Sequence, residues 1–338
     1  MTITPALAQA HLDSLAKPPG SLGRLEALAA ELAVAQGTLT PLTHPRRLVL
    51  FAADHGVVAQ GVTPWPQAVT TAMVATILLG RASSTALAAA HGVDVRVVDA
   101  GMAQPPEYPP VGPFPPHFRS APVAPGTADL ATGPAMDIVQ FDAAWALGAD
   151  EAQAAVAAGY RLLIAGEMGI GNTTASACLT HALTGADADT ATGSGAGADA
   201  AMRLHKRVIV EQAVARLGGA RDKAALAAIA GFEIVAIAGF YASGAAAGAV
   251  LVLDGYVTTA AALIAEALAP GTARAMIAGH RSAEPGHAAA LAQLGLTPIL
   301  DWQMRLGEGT GALTALPLLD SAAALLSDVA TLAEVLGQ

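Results

Sequence analysis

Cysteine occurs once, at Cys178, so no disulfide can form within the chain. That is compatible with a reducing compartment and sets the expectation of a cytoplasmic protein. Cys178 reads as a small buried hydrophobe on a helix rather than as a nucleophile. Charge is scarce: 13% of residues carry it, the net charge is −10, and no basic run of five residues occurs. Such a chain repels nucleic acid and anionic membranes, so binding to either is not expected. Aromatic residues make up only 4%, and the 54% hydrophobic content rests largely on alanine. Alanine-rich helices packed on a sheet give that composition. No set of His, Cys and carboxylates has zinc spacing. There is no G-x-S-x-G elbow and no P-loop lysine. Neither a metal nor a cofactor is expected. The N-terminus has no charged-then-apolar signal pattern.

The 338 residues can bury a sizeable core, in one large α/β domain or two unequal ones. The stretch 234–253 carries no charge and is long enough to span a membrane. It is mostly alanine and glycine and ends in an apolar β-branched run, so a buried helix followed by a buried parallel strand is the expectation. Six short apolar runs, 48–53, 93–98, 162–165, 249–253, 273–278 and 297–300, alternate with stretches of helical length. This predicts a doubly wound, mainly parallel sheet with helices on both faces. Each run is followed by acidic, His or Gly residues, and open α/β sheets bind ligands outside the carboxyl ends of their strands. One composite site is therefore expected. For Asp254 and Asp301, ordinary turn chemistry weighs as much as a role in the site. The proline-rich stretch 105–125 cannot be helix or central strand, and it reads as an extended excursion toward a partner subunit. Residues 1–36 read as helix, Pro-Pro-Gly turn and helix, and the C-terminus as one or two helices. The two ends, 1–36 and 305–338, are expected to form a small helical domain beside a large domain, 37–304.

Three motifs could carry chemistry. Glu308 sits between two glycines in Leu306-Gly307-Glu308-Gly309-Thr310-Gly311, just after a short apolar segment. Glycine lets a backbone approach a ligand closely, so this carboxylate can face a substrate. Gly279–His287 packs two histidines, Arg281, Ser282 and Glu284 into nine residues of a chain poor in charge. Gly166-Glu167-Met168-Gly169-Ile170-Gly171-Asn172-Thr173-Thr174 follows a strand and opens a helix. Free N–H groups at a helix start favour a phosphate. The alternative is that Thr173 and Thr174 only cap the helix. A second glycine cluster, 193–197, precedes a helix with Arg203, His205, Lys206 and Arg207. Lys206 could neutralise a phosphate, whereas Arg203 and Arg207 read as a solvated face. His55, at a strand end, reads as a loop-holding histidine.

These segments, with KPPGSLGRLE at 17–26, FAADHGVVAQGVTPWPQAVT at 51–70 and LDGYVTTAAAL at 253–263, resemble the nicotinate-nucleotide–dimethylbenzimidazole phosphoribosyltransferase family. The likeness runs from about residue 12 to the C-terminus. It implies an α/β/α Rossmann-like large domain, a small helical domain and a homodimer. It implies transfer of the 5-phosphoribosyl group of nicotinate mononucleotide to 5,6-dimethylbenzimidazole, in the lower-ligand branch of cobalamin assembly. The family's base falls on Glu308, its second carboxylate on Glu167 and its helix lysine on Lys206. Phosphate and ribose are expected at Gly169, Gly171, Asn172, Thr173 and Ser282, as donors with no competing acid among them. Thr63, Trp65, Ala72, Met73 and Leu306 are expected to form the slot for the flat base. The family commonly has a glutamine where Ala72 stands, and an arginine in the cluster that here reads Gly193-Ser194-Gly195-Ala196-Gly197. Arg81 replaces a glycine, and Asp129 ends a segment that usually reads GTAN. These departures leave open another acceptor base, or a nucleotide-binding homologue without turnover.

Overall fold

The computed structural model describes residues 3–106 and 114–337. Six strands form one wholly parallel sheet: β1 Arg46–Ala53, β2 Asp94–Gly101, β3 Phe118–Ser120, β4 Leu162–Met168, β5 Val250–Leu253 and β6 Met276–Ala278. Their order is β3-β2-β1-β4-β5-β6. This is the doubly wound order, in which the winding reverses between β1 and β4 and opens a crevice at the carboxyl edge. The central strands are buried on both faces, which explains why their sequences are continuous apolar runs rather than alternating ones.

Two strand expectations need correction. Residues 297–300 form no strand and contribute one bridge, His280 to Leu300. Pro298 removes the N–H that a ladder would need. The run 273–278 is a strand only from Met276, because Thr272–Ala275 is a 3₁₀ turn. Conversely, Phe118–Ser120 pairs with β2 as the sheet's edge. It lies in the proline-rich stretch, and an edge is where proline-flanked strands are tolerated. Residues 107–113 of that stretch lie outside the described residues.

One face of the sheet is covered by helices Ile138–Ala157, Asn172–Thr184, Phe232–Ala246 and Tyr256–Leu268. The apolar run 234–253 is that third helix followed by β5, both in the core, with an exposed turn at Ala246–Gly248 between them. The other face carries the chain ends. Helices Pro5–Ser14, Arg24–Gln36 and Thr310–Asp328 share a core with Leu48, Ile164, Val252 and Ile277 of the sheet. Thr4 caps the first of them by accepting from Leu7 N–H, with Pro5 at its first turn, and Gly37 ends the second in the left-handed conformation. The two ends also touch through the bridge between Leu15 and Thr331.

Candidate active site

A cavity of about 720 Å³ opens at the carboxyl edge of the sheet. It is walled by the segments that follow β1, β4, β5 and β6 and by the loop 305–308. Four carboxylates line it: Glu167, Asp254, Glu284 and Glu308. Glu167 is the penultimate residue of β4, and Asp254 follows the last residue of β5. Glu308 reaches the cavity from an unusual backbone, with φ +58° between Gly307 at +88° and Gly309 at +81°. A Cβ on Gly307 would overlap the Glu167 carboxylate, and one on Gly309 would sit 2.7 Å from Leu48. Both neighbours must therefore be glycine. Glu308 itself holds a conformation that costs on the order of 1–3 kcal/mol. Asp254 holds this loop. Its Oδ2 accepts from Gly309 N–H at 3.0 Å and its Oδ1 from Gly311 N–H at 2.6 Å. A strand-end aspartate thus caps the Thr310–Asp328 helix and fixes Glu308 in front of it.

Burial separates the acids. It pushes Glu167 up to about 8, with the charges of Asp254 and Glu233 adding and the Asn172 amide opposing. At neutral pH Glu167 is therefore protonated. Burial also raises Glu308, but the hydroxyl and N–H of Ser84 pull it back toward the ionised form. Beneath the β4 turn lies a sealed pair, His55 Nε2 and Glu233 Oε1 at 2.6 Å, packed against Gly169 and Gly231. Burial drives His287 down to about 3, so its ring is neutral. Its Nδ1 accepts from Ser282 N–H at 2.7 Å, which leaves Nε2–H to donate to Thr259 at 2.9 Å. That imidazole is a strut that sets Ser282.

The opposite wall is richer in donors. The helix Asn172–Thr184 begins at the cavity, its cap position being Gly171 at φ +98°. Lys206 Nζ donates to Thr173 Oγ1 at 2.8 Å, and burial lowers the amine to about 8. The glycine cluster 193–197 roofs this wall. Trp65 Nε1–H donates to Ala196 O at 2.8 Å and Arg305 Nη1 to Gly195 O at 2.7 Å. Under the roof, Glu284 Oε1 accepts from Gly195 N–H at 2.8 Å, while its buried Oε2 has no partner among the described residues.

A phosphoribosyltransferase family model matches residues 4–335. Nicotinate-nucleotide–dimethylbenzimidazole phosphoribosyltransferase of Solidesulfovibrio magneticus is 45% identical over 333 residues, 97% of this chain and 92% of its own. The enzyme of that name from Mycolicibacterium paratuberculosis is 45% identical over 335 residues, 98% and 94% of the two chains. The crystal structure of CobT from Thermus thermophilus superposes with a TM-score of 0.91 at 45% identity, covering 98% of each chain. This chain belongs to the nicotinate-nucleotide–dimethylbenzimidazole phosphoribosyltransferase family.

Within this family member, Glu308, Glu167, Gly169, Asn172, Thr173, Ser282, Trp65, Met73 and Leu306 all line the cavity. Gly171, Lys206, Thr63 and Ala72 do not. Gly171 shapes the turn, since a Cβ there would strike Val58 and His55. Lys206 stands one residue behind the wall, in contact with Thr173. Thr63 holds the Trp65 turn by accepting its N–H at 3.3 Å. Ala72 is exposed: Val69 and Met73, four residues apart, share the cavity face of the Ala68–Leu78 helix, and residue 72 points away. The expectation of donors without a competing acid also fails. Glu284 stands among them, and Asn172 Nδ2 is bound to Glu167 Oε2. Thr173 is no cap, because its hydroxyl serves Lys206. Sequence reasoning gave Asp254 only half its weight and assigned no role to Glu284 or Arg305. Their signals were position at a strand end and membership of a motif, which do not reveal what a side chain touches.

Proposed function

We propose that this enzyme transfers the 5-phosphoribosyl group of nicotinate mononucleotide to 5,6-dimethylbenzimidazole. The products are α-ribazole 5′-phosphate and nicotinate, for assembly of the cobalamin nucleotide loop by a cytoplasmic homodimer. The observation that carries the reading is Glu308, a strained, glycine-flanked carboxylate on the cavity beside a second carboxyl held neutral by burial. One benzimidazole nitrogen attacks C1′ while the other gives its proton to Glu308, which acts as general base. The C1′–nitrogen bond to nicotinate breaks, and its electron pair neutralises the pyridinium nitrogen. No proton is needed by the leaving group. Trp65, Val69, Met73 and Leu306 supply an apolar wall for a flat ring. The start of the Asn172–Thr184 helix, with Thr173 and the Lys206 charge behind it, suits the phosphate. The ribose hydroxyls are the only donors on nicotinate mononucleotide at neutral pH, and they match the unpartnered Oε2 of Glu284.

The test is incubation with nicotinate mononucleotide and a panel of bases, following nicotinate release by chromatography. Dimethylbenzimidazole should be turned over, and an apolar wall should favour it over unsubstituted benzimidazole by no more than roughly a hundredfold. Glu308→Ala should fold normally and lose about two to four orders of magnitude in kcat. Turnover within about threefold of wild type would remove Glu308 from this role, and release only with a different base would favour the alternative acceptor.

A further inference from the structure

The reading of Glu308 as base leaves open what decides which of its two oxygens takes the proton. Ser84 lies in the first turn of helix Ser83–Ala90 and is fully buried. Its Oγ donates to Glu308 Oε2 at 2.9 Å. The cap position of that helix is Ala82, whose methyl side chain cannot accept a hydrogen bond. Glu308, 224 residues away in sequence, stands instead at this helix start, which favours its negative charge. Oε1 has no hydrogen-bond partner among the described residues and is not sealed from the cavity.

We infer that Ser84 is the positioning residue of the base: its hydroxyl ties down Oε2 and leaves Oε1 alone to receive the acceptor's proton. This inference rests on the assignment of Glu308 as base. The arrangement answers a specific electrostatic problem. Asp254 faces Glu308 from the end of β5 and raises its proton affinity, as burial does. Glu167, neutral at pH 7, faces it from β4, and their mutual repulsion emerges only when Glu167 ionises. His280 stands behind Asp254 at 3.6 Å, and Arg305 in the same loop spends its Nη1 on Gly195 O. No cation in this set contacts Glu308, so the Ser84 hydroxyl and N–H are what favour the ionised form. Folding would not require a hydroxyl there, since an alanine would fill a helical position equally well. Among the described residues, the Ser84 hydroxyl makes no hydrogen bond except the one to Glu308.

The experiment is the pH dependence of kcat/KM for nicotinate mononucleotide with dimethylbenzimidazole, for wild type, Ser84→Ala, Ser84→Thr and Glu308→Gln. Losing a hydrogen bond to a charged acceptor should move the acid limb of Ser84→Ala to higher pH by about one unit or more. The sign follows from the base being active when ionised: a harder ionisation pushes the limb upward. KM for the nucleotide should stay unchanged, and Ser84→Thr should restore the wild-type limb. An unmoved limb in Ser84→Ala, with activity lowered equally at every pH or not at all, would overturn the inference. If Ser84→Ala failed to fold, a wild-type limb in Ser84→Cys, whose thiol is a weak donor, would overturn it equally, and a raised limb would support it. Glu308→Gln separates the two levels: if it stayed active, the base assignment itself would fall. If it were inactive and the Ser84 variants kept the wild-type limb, only the role of Ser84 would fall.

Discussion

At the scale of single residues, the site works by pushing two carboxyl groups apart. Glu167 and Glu308 line one cavity, yet burial and the charges of Asp254 and Glu233 hold Glu167 protonated to about pH 8. Different environments give two like groups different tasks. Glu167→Gln mimics the neutral form and should keep kcat/KM at pH 7 within about threefold, whereas loss of a true base would cost at least a hundredfold. The same variant should change the pH dependence of stability. A raised carboxyl is ionised in the unfolded chain above about 4.5 but not in the native one until about 8. The unfolded state then binds fewer protons, so wild-type stability falls as pH rises through that window. The melting-temperature advantage of Glu167→Gln should widen between pH 5 and 8 and then level off. A constant difference across that range would mean that Glu167 is ionised throughout. Much of this pair was legible beforehand, because glycines on either side of a carboxylate after an apolar segment are visible in a string of letters. The phase of a helix face was not: Ala72 and Met73 are neighbours in sequence, and only Met73 meets the cavity. Nor was Ser84, which sits in a run of small residues and gains its meaning from a partner 224 residues away.

At the scale of elements, the floor of the site depends on how closely two helices approach. Helices Ile138–Ala157 and Phe232–Ala246 cross where each carries a glycine. A Cβ on Gly148 would overlap the carbonyl of Ala236, and one on Gly239 the carbonyl of Trp145. The backbones therefore touch, and the second helix carries Glu233, the partner of His55 beneath the β4 turn. Gly148→Ala has no room to relax, because its neighbour is main chain rather than a movable side chain. It should destabilise by about 3 kcal/mol, the upper part of the usual span for overpacking. Gly133→Ala, where an added methyl meets nothing within 4 Å, should stay within about 0.5 kcal/mol of wild type. Urea denaturation of both variants checks this, and equal midpoints would show that the helices can part without cost. Alanine richness announced helices packed on a sheet. Which glycines do the touching depends on a crossing point that sequence periodicity does not contain. The strands show the same division. Apolar runs of four to six residues were readable, but Pro298 outweighed the apolar character of 297–300, and a three-residue edge such as Phe118–Ser120 is too short to carry a pattern.

At the scale of the molecule, the cavity is completed by segments that leave large apolar side chains in solvent. Trp65 and Leu306 line it and are 48% and 56% exposed, and Trp302, four residues before Leu306, is 65% exposed. An apolar rim around a binding cavity is a surface that soluble proteins usually cover. A chain with 13% charged residues has few groups with which to keep such a rim apart from a second copy. A twofold pairing would let each copy shield the same patch of the other, the isologous arrangement that most homo-oligomers adopt. The proposed homodimer therefore predicts a sedimenting mass of about twice 33.5 kDa in buffer without detergent. Trp302→Glu should shift that mass toward the monomer, because a charge in a desolvated contact is costly. The shift should lower turnover more than a substitution at Val139, an exposed apolar residue on the helix Ile138–Ala157 far along the chain from the rim. A wild-type monomer at micromolar concentration would refute the dimer. A dimer indifferent to Trp302→Glu would keep the dimer but move its contact away from this rim, and Leu306 would then meet water between turnovers.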